Sequence, residues 1–298
     1  MIQGTASGAG KTTIALGLCR IFRQDGFKAA PFKSQNMTGN TARTACGGEI
    51  AVSQLMQAYA AGAEPVTEMN PLVLKPPDGG EGTRVILNGR PFDMGGSGNI
   101  NDFKISAFLP EIIKAYNSLK KQYDIIVIEG AGSPVELNLI ADDIVNMGIA
   151  RRVNAPVILV ADIDRGGAFA SLYGTIGLLD ERDRKLVKAT ALNRFRGDIS
   201  GFEEGRRILE RITGLPVAGI VPYVSFDLPE EDGFSLRGER RGERGEFGFE
   251  SGECRVEGGE FGFDRAELER QFDIVADNVR RALDMDLIYE IVGIRNES

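Results

Sequence analysis

The chain has no histidine and no tryptophan, and only three cysteines among 298 residues. Without histidine it cannot build a Ser-His or Cys-His nucleophilic pair or a His-ligated zinc centre. Cys19, Cys46 and Cys254 are scattered and odd in number. They form neither a disulfide framework nor a CxxC metal site, which fits a reducing cytoplasm. No apolar run reaches the roughly 18 residues expected of a membrane span. The N-terminus does not read as a signal peptide. The expectation is a cytoplasmic protein without a membrane partner.

Acidic residues outnumber basic ones, 43 to 35, for a net charge of −8. Such a surface argues against nucleic acid as the main partner, while leaving room for a local basic pocket. Apolar residues at 42% and charged residues at 26% describe a globular chain with enough length for a large core.

The strongest signal that is present opens the chain. Met1-Ile2-Gln3 is a short apolar stub, followed by Gly4-Thr5-Ala6-Ser7-Gly8-Ala9-Gly10-Lys11-Thr12-Thr13 and then Ile14-Ala15-Leu16-Gly17-Leu18. This reads strand, glycine-rich loop, helix. The first glycine sits one residue further out than in the usual G-x-x-x-x-G-K-[ST] loop. The chemistry survives that change. Gly8 and Gly10 let successive N–H groups face an anion, and the next helix adds its positive end. Thr5, Gly8, Ala9, Gly10, Lys11, Thr12 and Thr13 are therefore the candidate ATP cradle. Lys11 would bridge the β- and γ-phosphates, and Thr12 would offer a hydroxyl to Mg²⁺. Partitioning-type ATPases carry a second lysine at the position of Ala6; it is missing here. The loop instead resembles those of dethiobiotin synthetase and the corrin amide synthetases.

Further along, Tyr123–Gly132 is an apolar β-rich run ending in Glu129, of the kind buried on both faces of a parallel sheet. Segments 156–162, 187–193 and 217–222 read as further strands, with helices over 104–121, 142–152, 168–180 and 201–213. Alternation of this kind implies right-handed crossovers and a doubly wound, mostly parallel α/β sheet, here over residues 1–232. Residues 233–263 are glycine- and charge-rich and read as a flexible linker or irregular hairpin. Residues 264–298 turn helical. Leu268, Phe272, Val275, Val279 and Leu283 make one apolar stripe, docked on the core or on a second subunit, so a homodimer is compatible.

With no histidine, acid–base work falls to carboxylates, lysines or water, which phosphoryl transfer tolerates. Ligands gather at the carboxyl ends of parallel strands. Glu129 lies at such an end and is the natural Mg²⁺ partner of Thr12. Lys33, Gln35 and Asn36 follow the second strand. Lys33 could neutralise a carboxylate or the γ-phosphate, and the two amides could bind substrate; alone, this stretch also reads as a solvated loop. Asp142, Asp143 and Asn146 stand at a loop-to-helix junction, where an Asp is often simply an N-cap. Asp162, Asp164 and Arg165 end one strand and suggest a site. Asn193, Arg194 and Arg196 end the next. There an amide could read a nucleotide base and arginines suit carboxylates or phosphate.

Several motifs together resemble the cobyric acid synthase family. They are the phosphate loop, Pro31-Phe32-Lys33-Ser34-Gln35-Asn36-Met37, Gly47-Gly48-Glu49-Ile50, Met69-Asn70-Pro71-Leu72-Val73-Leu74-Lys75-Pro76, Glu129-Gly130-Ala131-Gly132-Ser133-Pro134, Asp143-Ile144-Val145-Asn146-Met147-Gly148, Asp162-Ile163-Asp164-Arg165-Gly166-Gly167 and Asn193-Arg194-Phe195-Arg196-Gly197-Asp198. They stand in that family's order. The resemblance implies a phosphate-loop fold of the dethiobiotin-synthetase type and an ATP- and Mg²⁺-dependent amide ligase of cobalamin synthesis. The implied substrate is a corrinoid, adenosylcobyrinic acid a,c-diamide, whose b, d, e and g carboxylates are phosphorylated and then amidated. Carried over by motif, Thr12, Glu49 and Glu129 are Mg²⁺ ligands. Lys33, Gln35, Asn36, Asp143, Asn146, Asp164 and Arg165 face substrate and acyl phosphate, with Lys11, Lys33, Asp143 and Asp164 as the catalytic set. Asn193 binds adenine.

The family also carries a class I glutaminase domain with a Cys-His-Glu triad. Here Leu228-Pro229-Glu230-Glu231-Asp232 resembles the entry into that domain, and Phe272-Asp273-Ile274-Val275-Ala276-Asp277 resembles the family's last helix. The glycine-rich segment stands between them, and without histidine Cys254 cannot be the triad's nucleophile. The expected nitrogen source is free ammonia or a separate glutaminase. Thr41–Cys46 departs from the family's loop on the substrate side. Competing readings are a dethiobiotin-synthetase-like or other polycarboxylate ligase, and a non-catalytic ATP-binding remnant.

Overall fold

The structure, a computed structural model, describes residues 1–76, 82–93, 105–138, 143–228, 246–250, 253–257 and 264–294. The chain forms two compact units. The first comprises Met1–Leu18, Ile128–Ser225 and Ile274–Ser298, and the second Cys19–Val127 and Phe226–Asp273.

The first unit is built on four parallel strands in the order β1 (Ile2–Gly4), β10 (Val157–Asp162), β11 (Val187–Phe195) and β12 (Val217–Pro222). Ile2 pairs with Ile158, Ala161 with Leu192, and Leu192 with Ile220. Glu129 joins the same sheet by a parallel bridge to Ile2. These strands are β-branched and aliphatic because both faces are covered. Val157, Leu159, Val187 and Leu192 pack with Leu172 and Ile176 of α5 (Ala168–Leu178) and Leu209 of α7 (Glu203–Thr213) in one buried cluster. Chain reversals are local. Asn154 adopts φ 52° after α4 (Met147–Val153), and Gly214 adopts φ 68° after α7. Both are left-handed C-terminal stops.

The C-terminal segment is two helices, not one. α8 (Arg265–Ala282) ends before Asp284, whose side chain accepts from the Leu287 N–H and opens α9 (Met285–Val292). Such an N-cap starts a new helix. Within the first unit, the Asp284 N–H donates to the Ala218 carbonyl at 2.7 Å. Val279 lies so close to Gly17 that a Cβ there would sit 2.7 Å from its Cγ2. Leu268, Phe272, Val275, Val279 and Leu283 are all buried. The stripe is therefore covered by the chain itself, the first of its two expected alternatives.

The second unit holds β2 (Ala29–Phe32), paired with β9 (Ile125–Ile128). It also holds β3 (Gln35–Met37), β6 (Leu72–Lys75), β7 (Arg84–Leu87) and β8 (Arg90–Phe92) in one sheet. β4 (Thr41–Arg43) and β5 (Glu49–Ala51) form a third sheet with β13 (Glu246–Glu250) and β14 (Glu253–Glu257). α2 (Val52–Ala61) and α3 (Leu109–Lys120) complete the unit, while α1 (Lys11–Gln24) begins in the first unit and ends in the second. Gly62 closes α2 at φ 66°. The segment read as a flexible linker or irregular hairpin contains an antiparallel hairpin, with Phe247 of β13 in register with Ala42 of β4. The sequence there carries a near-repeat, Gly245–Phe249 and Gly259–Phe263, that reads as a small β feature; residues 246–249 fall in β13, and the second copy lies outside the described residues. The helices expected over 104–121 and 142–152 are shorter, at 109–120 and 147–153.

Candidate functional site

The phosphate loop joins β1 to α1 as the sequence pattern requires. Gly8 and Gly10 take φ 72° and 94°, in the left-handed region that glycine favours. Lys11 is buried, and its Nζ donates to the carbonyls of Ala6 at 3.0 Å and Gly132 at 3.1 Å. These bonds hold the ammonium over the loop. The Thr5 N–H donates to the Val160 carbonyl at 2.9 Å, tying the loop's first residues to β10. Thr13 continues the first turn of α1 beside Thr12.

The Thr12 hydroxyl donates to Glu129 Oε1 at 2.9 Å. Glu129 is only 1% exposed, which is rare for a carboxylate unless it is engaged. The two groups come from different segments and meet because the bridge from Ile2 to Glu129 sets the register. Two hard oxygen donors fit Mg²⁺, which commonly takes one or two protein ligands together with phosphate oxygens. Among the described residues no group of three or more His, Cys, Asp or Glu could hold a metal by itself.

The end of β11 grips the loop from the other side. Asn193 Nδ2 donates to the Ala9 carbonyl at 3.1 Å, and its side chain is buried. A Cβ on Gly10 would fall 1.8 Å from that same nitrogen. The next residue, Arg194, adopts φ 61°, uncommon for a side chain of this size. In that conformation its Nη1 donates to the Gly8 carbonyl at 2.9 Å and pairs with Asp162 at 2.8 Å. Arg165 also pairs with Asp162, at 3.4 Å, and its Nη2 comes near Gly8. Asp164 pairs with Arg196 at 3.0 Å, and that guanidinium stacks 3.7 Å from the centre of the Tyr223 ring.

Asp143 holds its own loop. Its Oδ1 accepts from the N–H groups of Val145 and Asn146 at 2.9 and 2.8 Å, and its Oδ2 from Gly148 at 2.8 Å. It stands three residues before Asn146, the N-cap of α4, which makes no side-chain cap bond of its own. Asn146 is buried, donates to the Ala131 carbonyl at 2.6 Å, and leaves Oδ1 without a partner among the described residues. Gly130 makes room for it, since a Cβ there would meet that oxygen at 2.2 Å. Asp142 lies outside the described residues.

The remaining expected residues belong to the second unit. Lys33 is buried, and its backbone is tied to Met69 and Asn70. Gln35 and Asn36 lie in β3, where Asn36 Nδ2 donates to the Ser53 hydroxyl at 3.3 Å. Glu49 accepts from Lys75 and Thr41, while Lys75 Nζ also donates to the Thr41 hydroxyl at 2.9 Å. Burial pushes the Glu49 carboxyl upward. Hydrogen bonds from Lys75 and Thr41 and the charges of Lys75 and Arg84 outweigh that, and hold it below its ordinary value. Its carboxylate is committed to this triad in the structure.

The structure thus gathers Thr5, Gly8, Ala9, Gly10, Lys11, Thr12, Glu129 and Asn193 around one loop within the first unit. Sequence reasoning missed the grip of Arg194 on Gly8, because a left-handed arginine has no sequence signal. It also assigned no role to Lys75, although Lys75 stands in one of the quoted motifs.

A family model described as the CobQ/CobB/MinD/ParA nucleotide binding domain matches residues 1–233. A curated cobyric acid synthase of Ruminiclostridium cellulolyticum is 50% identical over 249 residues, 82% of this chain and 47% of that protein. That of Lachnoclostridium phytofermentans is 50% identical over 241 residues, 80% of this chain and 47% of that one. That of Listeria monocytogenes is 49% identical over 239 residues, covering 80% and 46%. The chain spans about half the length of the curated relatives it matches.

Proposed function

The chain belongs to the CobQ/CobB/MinD/ParA nucleotide binding domain family, and from that premise we propose that it is an ATP-dependent amide ligase acting on a corrinoid polycarboxylate. The substrate on this reading is adenosylcobyrinic acid a,c-diamide, amidated at its b, d, e and g side chains. The observation that carries it is the Thr12–Glu129 pair beside Lys11 in the phosphate loop of a chain that is 50% identical over 249 residues to a cobyric acid synthase.

A substrate carboxylate oxygen attacks the γ-phosphorus of ATP, and the bond to ADP breaks. The N–H groups of the loop and the Lys11 ammonium carry the charge that spreads over the transferring phosphoryl oxygens. Thr12 and Glu129 would hold Mg²⁺, which supplies charge neutralisation when bound. Ammonia then attacks the acyl carbon, phosphate leaves, and the amide loses a proton to solvent or to a carboxylate. This sequence needs no histidine. Asn193 would meet the adenine while keeping Ala9 in place. Lys33, Gln35, Asn36, Asp164, Arg165 and Asn146 are proposed to face the corrinoid and its acyl phosphate. Asp143 would act by holding the Val145–Gly148 turn, and Glu49 would act from within its ion pair with Lys75.

The nitrogen is taken as free ammonia or from a separate glutaminase. No helix among the described residues is long and apolar enough to cross a membrane, and the reading places the protein in the cytoplasm. The test is ADP release from the purified protein with Mg²⁺, ATP and ammonium, with and without the corrinoid. Release that requires the corrinoid, and that is lost in Lys11→Ala and Glu129→Gln, supports the proposal. Release indifferent to the corrinoid contradicts it in favour of another ligase or an ATP-binding remnant.

A further inference from the structure

The mouth of the phosphate loop carries more positive charge than the loop itself supplies. From Gly4 to Thr13, Lys11 is the only charged side chain. Further cations come from the ends of β10 and β11. Asp162, whose side chain is 8% exposed, is their common anchor. Its Oδ2 accepts from Arg194 Nη1 at 2.8 Å and faces Arg165 Nε at 3.4 Å. Its Oδ1 accepts from the Asp164 N–H at 2.9 Å, which holds the carboxylate in place.

Two guanidiniums thus share one carboxylate. The neighbouring pair, Asp164 with Arg196, is balanced within itself. Among the described residues no other acid pairs with Arg165 or Arg194. One positive charge is left over beside the loop, where an anion would meet it.

The two arginines are held differently. Arg194 spends Nη1 on both the Gly8 carbonyl and Asp162, from a backbone at φ 61°. Arg165 is tied through Nε alone. Its side chain is 68% exposed, and its Nη2 lies 3.6 Å from where a Cβ on Gly8 would stand. Its two outer nitrogens make no hydrogen bond among the described residues. Gly166 and Gly167 follow at φ 77° and 72°, and a Cβ on either would meet nothing within 4 Å. No neighbour packs against the turn that carries Arg165.

We propose that Arg165 is a catalytic residue that reaches across Gly8 to the γ-phosphate of ATP, and that Asp162 is the positioning residue that aims it. A guanidinium held at Nε still offers its outer N–H groups as a fork, a geometry suited to two phosphoryl oxygens. An arginine supplied within the same chain can carry the charge that spreads over the transferring group as its bond to ADP breaks. Arg194 is the fixed strap on the loop. The inference deepens the ligase reading, giving Arg165 the phosphoryl group before it becomes the acyl phosphate; it rests on ATP binding at the loop and not on the corrinoid.

The test is calorimetric titration of the full chain, with Mg²⁺, against ADP and the non-hydrolysable β,γ-imido analogue of ATP. Arg165→Ala should weaken the analogue by at least about tenfold and leave ADP within about twofold. Arg165→Lys, which keeps the charge and loses the fork, should recover part of that loss. Arg165 is exposed, so both variants should fold. Asp162→Asn should weaken the analogue more than ADP, and adding Arg165→Ala to it should cost less than the product of the two single losses. Arg194→Gly should instead weaken both nucleotides alike. Equal losses for the two nucleotides in Arg165→Ala, or no loss, would overturn the proposal and leave the ATP reading standing. Independent losses from Asp162→Asn and Arg165→Ala would overturn the role of Asp162. An unaltered chain that binds neither nucleotide would overturn the ATP reading and this inference with it.

Discussion

Gly10 and Asn193 should be energetically coupled, and the size of the coupling follows from their geometry. Gly10→Ala introduces two costs. Its φ of 94° lies where an L-residue is strained by roughly 1–2 kcal/mol. Its new methyl would also overlap Asn193 Nδ2, 1.8 Å away, and displace that amide from the Ala9 carbonyl. Losing a buried hydrogen bond and leaving its partner unsatisfied costs about 1–3 kcal/mol. The single variant should therefore lose about 2–5 kcal/mol. Asn193→Ala alone removes the same bond and should lose about 1–3 kcal/mol. The double variant cannot lose that bond twice, so it should be no less stable than Gly10→Ala. The assay is a double-mutant cycle in urea, with ATP affinity measured in parallel. A coupling of about 1–3 kcal/mol is expected. Additive losses would refute the contact between Asn193 and the loop on which the site description rests.

Arg194→Gly should relieve the left-handed strain at that residue but remove the bond to Gly8 and the ion pair with Asp162. Melting should shift by only a few degrees, while ATP affinity falls several-fold; unchanged affinity would show that the strap does not shape the loop. Glu49 has a folded pKa below its ordinary value of 4.5, so it stabilises the fold fully at neutral pH. That contribution is lost as pH falls below about 4.5 through the depressed value, and Glu49→Gln should flatten the acid limb of the stability–pH curve. Gly219→Ala would put a Cβ 2.1 Å from the Ala282 carbonyl oxygen, where α8 meets β12. Overpacking of this kind costs about 1–3 kcal/mol, read as a lower urea midpoint with an unchanged slope.

Much of the first unit was legible in the sequence. Val157–Asp162 and Val217–Pro222 are uninterrupted aliphatic strands, so period and composition found them within a residue. The loop Gly4–Thr13 has a spacing that few other structures explain, and Glu129 at a strand end pointed to its meeting with Thr12. The resemblance to cobyric acid synthases was borne out by the family match and by the relatives. The second unit was hardly legible. Its strands β3, β4 and β5 have three residues each and mix polar with apolar side chains, too short for any alternation to register. The break between α8 and α9 was missed because the apolar spacing runs through it, although Asp284 before Met285 was a legible cap. Asn193 was expected to read a base, yet its amide also holds Ala9, a contact that only the juxtaposition of β11 with the loop reveals.

The central claim is that this chain forms amides at the cost of ATP. The direct measurement is mass spectrometry of adenosylcobyrinic acid a,c-diamide after incubation with the purified protein, ATP and Mg²⁺, with ammonium or glutamine as nitrogen donor. The account predicts stepwise conversion of carboxylates to amides with ammonium, and none with glutamine alone. Unaltered corrinoid with ammonium, while ATP still binds, would contradict it.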